Sequence, residues 1–122
     1  MERTHGTWGV RTVTYEDRYH IVTILELDPD QRCSWHFHRA AYNQFYVIKG
    51  RVGIRTNCGP KELCRTTIVH PGQSFLVPPN KIHEFITYNE PAIMEEIAFV
   101  QYDPSDIERL RLGGAREDAR NE

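Results

Sequence analysis

Turn-forming residues interrupt this chain so often that no long helix fits between them. Asp28-Pro-Asp30, Asn57-Cys-Gly-Pro60, His70-Pro-Gly-Gln73, Pro78-Pro-Asn80 and Asn89-Glu-Pro91 each mark a reversal. The segments between them, residues 20–27, 35–38, 45–50, 51–56, 63–69, 74–77, 82–88 and 92–102, are rich in β-branched and aromatic residues and read as strands. Gly50 permits a tight reversal, so 45–50 and 51–56 read as a hairpin that Asn57 to Pro60 closes. Short strands joined by Gly, Pro and Asn turns predict an all-β antiparallel sandwich or small barrel. One segment departs from this pattern. Residues 104–112 place Ser105 and Glu108 at capping-box spacing and Ile107 with Leu110 on one face before Gly113-Gly114, which predicts a short C-terminal helix. Residues 115–122 are charged and read as a disordered tail, leaving 1–114 as one domain.

A chain of 122 residues buries roughly two-thirds of its unfolded surface, enough for one core. Its 15 Lys and Arg against 17 Asp and Glu provide no basic field for nucleic acid or an anionic membrane. The N-terminus carries charges where a signal peptide has its apolar core, and the apolar runs are too short to span a bilayer. With three cysteines, Cys33, Cys58 and Cys64, and no Cys-x-x-Cys pair, the expectation is a cytoplasmic protein with reduced thiols.

Chemistry concentrates in three histidines. His36 and His38 are two residues apart, so in a strand they face the same way, roughly 6 to 7 Å apart at the backbone. His83 follows the Pro78-Pro-Asn80 turn at the start of another strand. Three imidazoles from two strands would form a facial site with open positions for one divalent transition metal, Fe, Mn, Ni or Zn. Position 43 would face away from His38 if the strand ran on, so a turn or bulge within residues 39–42 is expected to reset the alternation.

These strands and histidines resemble the cupin superfamily, whose two motifs are matched over about half of the chain. His36, His38 and Gly50 fall into register with the first motif, and Gly72, Pro78 and His83 with the second. The resemblance implies a double-stranded β-helix, or jelly-roll barrel, with the site inside. Asn43 stands where the family has its metal-binding Glu, Asn80 replaces a turn glycine, and Thr87 replaces the final Asn of the second motif. Asn43 is thereby a fourth candidate metal ligand, one without negative charge. Asn80 is a mild change, because Asn tolerates the left-handed conformation. Trp8-Gly9, Gly72-Gln-Ser-Phe-Leu-Val-Pro78 and residues 97–110 are also similar to the cupin domain of type II mannose-6-phosphate isomerases.

The resemblance leaves three functions open: a sugar or sugar-phosphate isomerase or epimerase, a three-histidine non-haem iron dioxygenase, and a non-enzymatic cupin that binds a small ligand. Tyr46 and Glu96 are the candidate proton carriers, Glu96 sharing the parity of Ala92 and Ala98. Arg51 and Arg55 lie on one strand face and could grip a phosphate or carboxylate, and Phe45 could line the pocket. Small cupins commonly dimerise, and Ile21, Ile24, Leu25, Phe99 and Tyr102 are the residues expected at a homodimer face.

Overall fold

A computed structural model describes residues 2–57, 65–99, 105 and 107–116, and among these there is no helix. In chain order the strands are β1 (Arg3–Gly6), β2 (Gly9–Glu16), β3 (His20–Leu27), β4 (Gln31–Arg32), β5 (Trp35–Phe37), β6 (Tyr42–Lys49) and β7 (Val52–Thr56). There follow β8 (Arg65–Val69), β9 (Ser74–Val77), β10 (His83–Ile86), β11 (Ala92–Phe99), β12 (Glu108–Arg111) and β13 (Gly114–Ala115).

Two antiparallel sheets result. The first has the order β1-β2-β3-β11-β6-β9. In the second, β10 pairs with β7 on one side, and β7 pairs with β8. On its other side β10 meets β5 and β4, which behave as two pieces of one interrupted strand flanked by β12 and β13. Alternation decides which side chains enter the space between the sheets. Ile21, Thr23, Leu25 and Leu27 of β3, and Asn43, Phe45 and Val47 of β6, are buried at every second position. Of these, Leu25, Leu27, Phe45 and Val47 pack with Val52 and Ile54 of β7, Val69 of β8 and Met94 of β11, so both sheets contribute to one core. Each of the apolar side chains among them, fully buried, contributes roughly 1.5–3 kcal/mol.

Several expectations are corrected. The β1–β2 hairpin was not foreseen, although the run Val10 to Tyr15 is rich in β-branched residues. Gly50 does not make a hairpin between β6 and β7, because the two strands belong to different sheets. The chain instead crosses at Gly50 from one wall of the core to the other, β6 pairing with β11 and β9 and β7 with β10 and β8. At Gly50, φ is 75° and a Cβ would sit 2.5 Å from the Pro91 carbonyl oxygen, so glycine alone allows this crossing. The hairpin in this region joins β7 to β8 instead, through residues of which 58–64 lie outside the described set.

The expected C-terminal helix is also corrected, since Glu108–Arg111 is strand β12. Its pairing, Glu108 opposite Phe37, Arg109 opposite His36 and Arg111 opposite Trp35, supplies partners to the edge of β5. A helix of two turns is marginal alone, and a capping box contributes only about 1 kcal/mol. Tertiary pairing wins. Arg111 Nη2 donates at 3.0 Å to both carboxylate oxygens of Glu84, which is buried, and Arg39 pairs with Glu108 at 2.9 Å.

The segment read as a tail begins in contact with the rest of the chain. Ala115 lies in β13, and Arg116 is buried, with its guanidinium 5.2 Å from the Tyr88 ring and 3.4 Å from Asp30. Residues 117–122 lie outside the described set. Of the expected dimer residues, Ile21 and Leu25 belong to the core. Ile24 and Phe99 alternate out of it, with Phe99 stacked on Tyr42 at 5.3 Å, and Tyr102 lies outside the described residues.

Candidate metal centre and its cavity

The three histidines converge because β10 lies beside β5. His83 sits directly opposite His36, and residues opposite one another in a sheet share a face. His38 follows β5 as the strand breaks, before β6 begins at Tyr42 and brings Asn43 inward. The turn ahead of His83 is tied to this break, since the Asn80 backbone N–H donates to the His38 carbonyl at 2.6 Å. Asn80 has φ of 66°, the left-handed conformation expected where the family has glycine. Thr87 is structural: buried, it donates from Oγ1 to the Asp28 carbonyl at 2.6 Å and accepts from the Gln31 N–H at 2.8 Å.

The donor chemistry fits a metal ion. One ligating nitrogen from each of His36, His38 and His83 lies within 4.8 Å of the others. His83 Nδ1 donates to the Lys81 carbonyl at 2.8 Å, which leaves Nε2 as the lone-pair nitrogen, buried and without a hydrogen-bond partner. His36 Nδ1 lies 2.7 Å from the Ser34 carbonyl oxygen, and donating there frees its Nε2 in the same way. Burial, then the neighbouring imidazoles, lowers His36 from 6.5 to about 3. Burial likewise lowers His83 to about 4, opposed by its bond to Lys81. Neutral imidazoles are the form that ligates metals.

The triad opens into a cavity of about 340 Å³. Register places its other polar walls. Glu96 lies opposite Thr23 and Phe45, both inward, so its carboxylate also points inward. Asn43 Nδ2 donates to Glu96 Oε2 at 2.7 Å, while Asn43 Oδ1 is buried without a partner. Burial raises the Glu96 carboxyl above its ordinary range, against the opposing effects of Asn43, Arg11 and His38. Phe45, 6.2 Å from His83 between ring centres, also lines the cavity, as do Trp8 and Phe85, which meet edge to face at 5.6 Å.

The other sequence candidates lie elsewhere. Tyr46 alternates out of β6 and is 42% exposed. Arg51 covers the Tyr88 ring at 4.3 Å, and Arg55 donates to Glu84 at 3.2 Å, so neither reaches the histidines. The cavity arginines are instead Arg11 and Arg109, which sequence reasoning passed over. Arg11 lies opposite inward-facing Leu25 on a strand not foreseen, and Arg109 lies opposite His36 on a strand expected to be a helix. No local signal marked either one.

Comparison with known proteins accords with this geometry. The family described as "Cupin domain" matches residues 23–99. A search of curated protein sequences gave no match. Among solved structures, Streptomyces Pac13 with uridine aligns over 91% of this chain and 84% of its own, at 17% identity and a TM-score of 0.74. A Klebsiella pneumoniae protein with a double-stranded β-helix domain aligns over 81% of each chain, at 19% identity and a TM-score of 0.67. Oxalate decarboxylase from Bacillus subtilis aligns over 89% of this chain but 30% of its own, at 16% identity and a TM-score of 0.74. At these identities the likeness concerns the fold.

Proposed function

The chain belongs to the cupin family, and on that premise we propose that it is a metal-dependent acid–base enzyme acting on a small, oxygen-rich molecule, as a sugar or sugar-phosphate isomerase or epimerase. The observation that carries this reading is the inward carboxylate of Glu96 in the same cavity as His36, His38 and His83.

The three histidines, with Asn43 Oδ1 as a fourth donor, would hold a divalent transition metal whose Lewis acidity polarises substrate oxygens. The protein's own part is positional. Asn43 Nδ2 fixes Glu96 Oε2, leaving Oε1 with no hydrogen-bond partner among the described residues and able to take a proton from a substrate carbon. Returning that proton to the neighbouring carbon, as the hydroxyl proton passes between the two adjacent oxygens, completes an isomerisation; epimerisation instead requires the planar intermediate to present its other face to the same carboxyl. Trp8, Phe45 and Phe85 limit the water that competes for it. Tyr46, facing outward, takes no part.

The direct test is proton exchange. Metal-loaded protein in deuterium oxide should place deuterium on a carbon of one member of a sugar and sugar-phosphate panel, and Glu96→Gln should abolish this while retaining metal. Exchange that survives in Glu96→Gln would reject the assigned base. A second reading, a three-histidine iron dioxygenase, is favoured by the absence of any carboxylate among the three clustered ligands. Oxygen uptake by the iron-loaded protein with diketones, catechols or thiols would select it instead.

A further inference from the structure

Two pairs of arginines stand in contrasting environments. Arg55 and Arg111 converge on the buried Glu84 at 3.2 and 3.0 Å, so their charge is answered within the fold. Arg11 and Arg109 both line the histidine cavity, and neither has a hydrogen-bond or ion-pair partner among the described residues. They arrive from different sheets, Arg11 on β2 and Arg109 on β12.

The charges of the cavity wall do not cancel. Among the described residues, two guanidinium groups face one carboxyl group, Glu96, while three imidazoles and the Asn43 amide add no negative charge. The wall is therefore positive whether or not Glu96 is ionised. A bound dication adds to this excess, because Asn43 stands where an anionic ligand would have offset it. Cations in a partly enclosed site attract an anion more strongly than in water, and guanidinium groups match the oxygens of carboxylate and phosphate.

We propose that the cavity binds a small molecule carrying a carboxylate or phosphate group, with Arg11 and Arg109 holding that group and the histidine triad facing the remainder of the molecule. This deepens the reading above and rests on the same cavity being the site of reaction. It narrows the substrate to an acid or a phosphate ester and sets aside neutral sugars. It also gives β12 a role in recognition, since the strand that completes the β5 edge delivers Arg109 beside His36.

Calorimetric titration of the full chain, metal-free and zinc-loaded, with inorganic phosphate, malonate and ribose tests this. Phosphate or malonate should bind more tightly than ribose, and the preferred anion identifies the group. Arg11→Gln and Arg109→Gln should each weaken that binding at least about tenfold, while Arg18→Gln, an equal charge change at an exposed residue near Tyr19, should not. Arg109 is exposed, so its variant carries the test if Arg11→Gln fails to fold. Anions binding no better than ribose, or an equal loss in Arg18→Gln, overturns the inference. Zinc uptake by the triad is read separately. Zinc bound without anion preference defeats this inference alone, whereas anion binding through the arginines without zinc uptake defeats the metal reading and leaves the inference standing.

Discussion

The space between the sheets has two ends, and the same strands build both. Along β3, Ile21 and Thr23 line the cavity and Leu27 joins the apolar core; along β6, Asn43 lines the cavity and Val47 joins the core. Along β11 the exchange is from Glu96 and Ala98 to Met94 and Ala92. Leu25, Phe45 and Phe85 belong to both ends and form the floor between them. At the core end the clustered side chains are apolar and packed against one another. At the other end inward positions carry groups that are costly to bury, including a lone-pair nitrogen on His83 and an amide oxygen on Asn43 without partners. A fold that hydrophobic pattern alone could stabilise places its stability at one end and accepts destabilising polar groups at the other.

That contrast can be broken by mutation. The largest effect on stability is expected at the core end, where Met94→Ala should cost about 2–5 kcal/mol in denaturant unfolding and leave metal affinity of the folded protein intact. Next, His83→Ala should weaken metal binding at least about 100-fold while costing less stability than Met94→Ala, measured by metal titration beside thermal melts. A larger stability loss in His83→Ala than in Met94→Ala would erase the distinction between the ends.

A change of opposite sign sharpens it. Glu96→Gln keeps an acceptor for Asn43 and removes a buried charge, so the metal-free protein should gain about 1 kcal/mol at neutral pH as activity is lost.

Acid should act mainly through the cavity end. In metal-free protein, His36 near 3 and His83 near 4 stay neutral in the fold where the unfolded chain, near 6.5, takes up protons. Their contribution is therefore complete above about pH 6.5 and is lost as pH falls through 4 and then 3. Glu96 opposes this, because its raised carboxyl holds a proton in the fold that the unfolded chain has released, and its contribution declines as pH rises above 4.5. Melting temperatures from pH 3 to 7 should show a smaller acid loss in His36→Gln than in the parent; an unchanged profile would contradict the burial argument. The smallest effect belongs to neither end. Tyr46→Phe, on the outer face, should shift stability by less than about 0.5 kcal/mol and leave turnover unchanged.

How much of this was legible follows from the range of each signal. Strands β3, β6, β9 and β10 were readable because alternation and turn residues are local, and His36, His38 and His83 because their spacing carries the site. Asn43 and Glu96 were named from position and parity, but the bond that joins them crosses two strands. Residues 104–112 misled because a capping box is a genuine local preference overruled by a distant strand edge.

The sequence by itself determined a chain built mainly of short strands, the turns at residues 28–30, 70–73, 78–80 and 89–91, and which three imidazoles can share an ion, since these depend on neighbours within a few positions. Only the tertiary structure decided that β6 and β7 belong to different sheets, that residues 108–111 form a strand, and that Arg11 and Arg109 reach the cavity while Arg51 and Arg55 do not. The reason is physical. A strand's unpaired backbone groups and a cavity's uncancelled charge arise from segments far apart in the chain, and no local preference of about 1 kcal/mol records them.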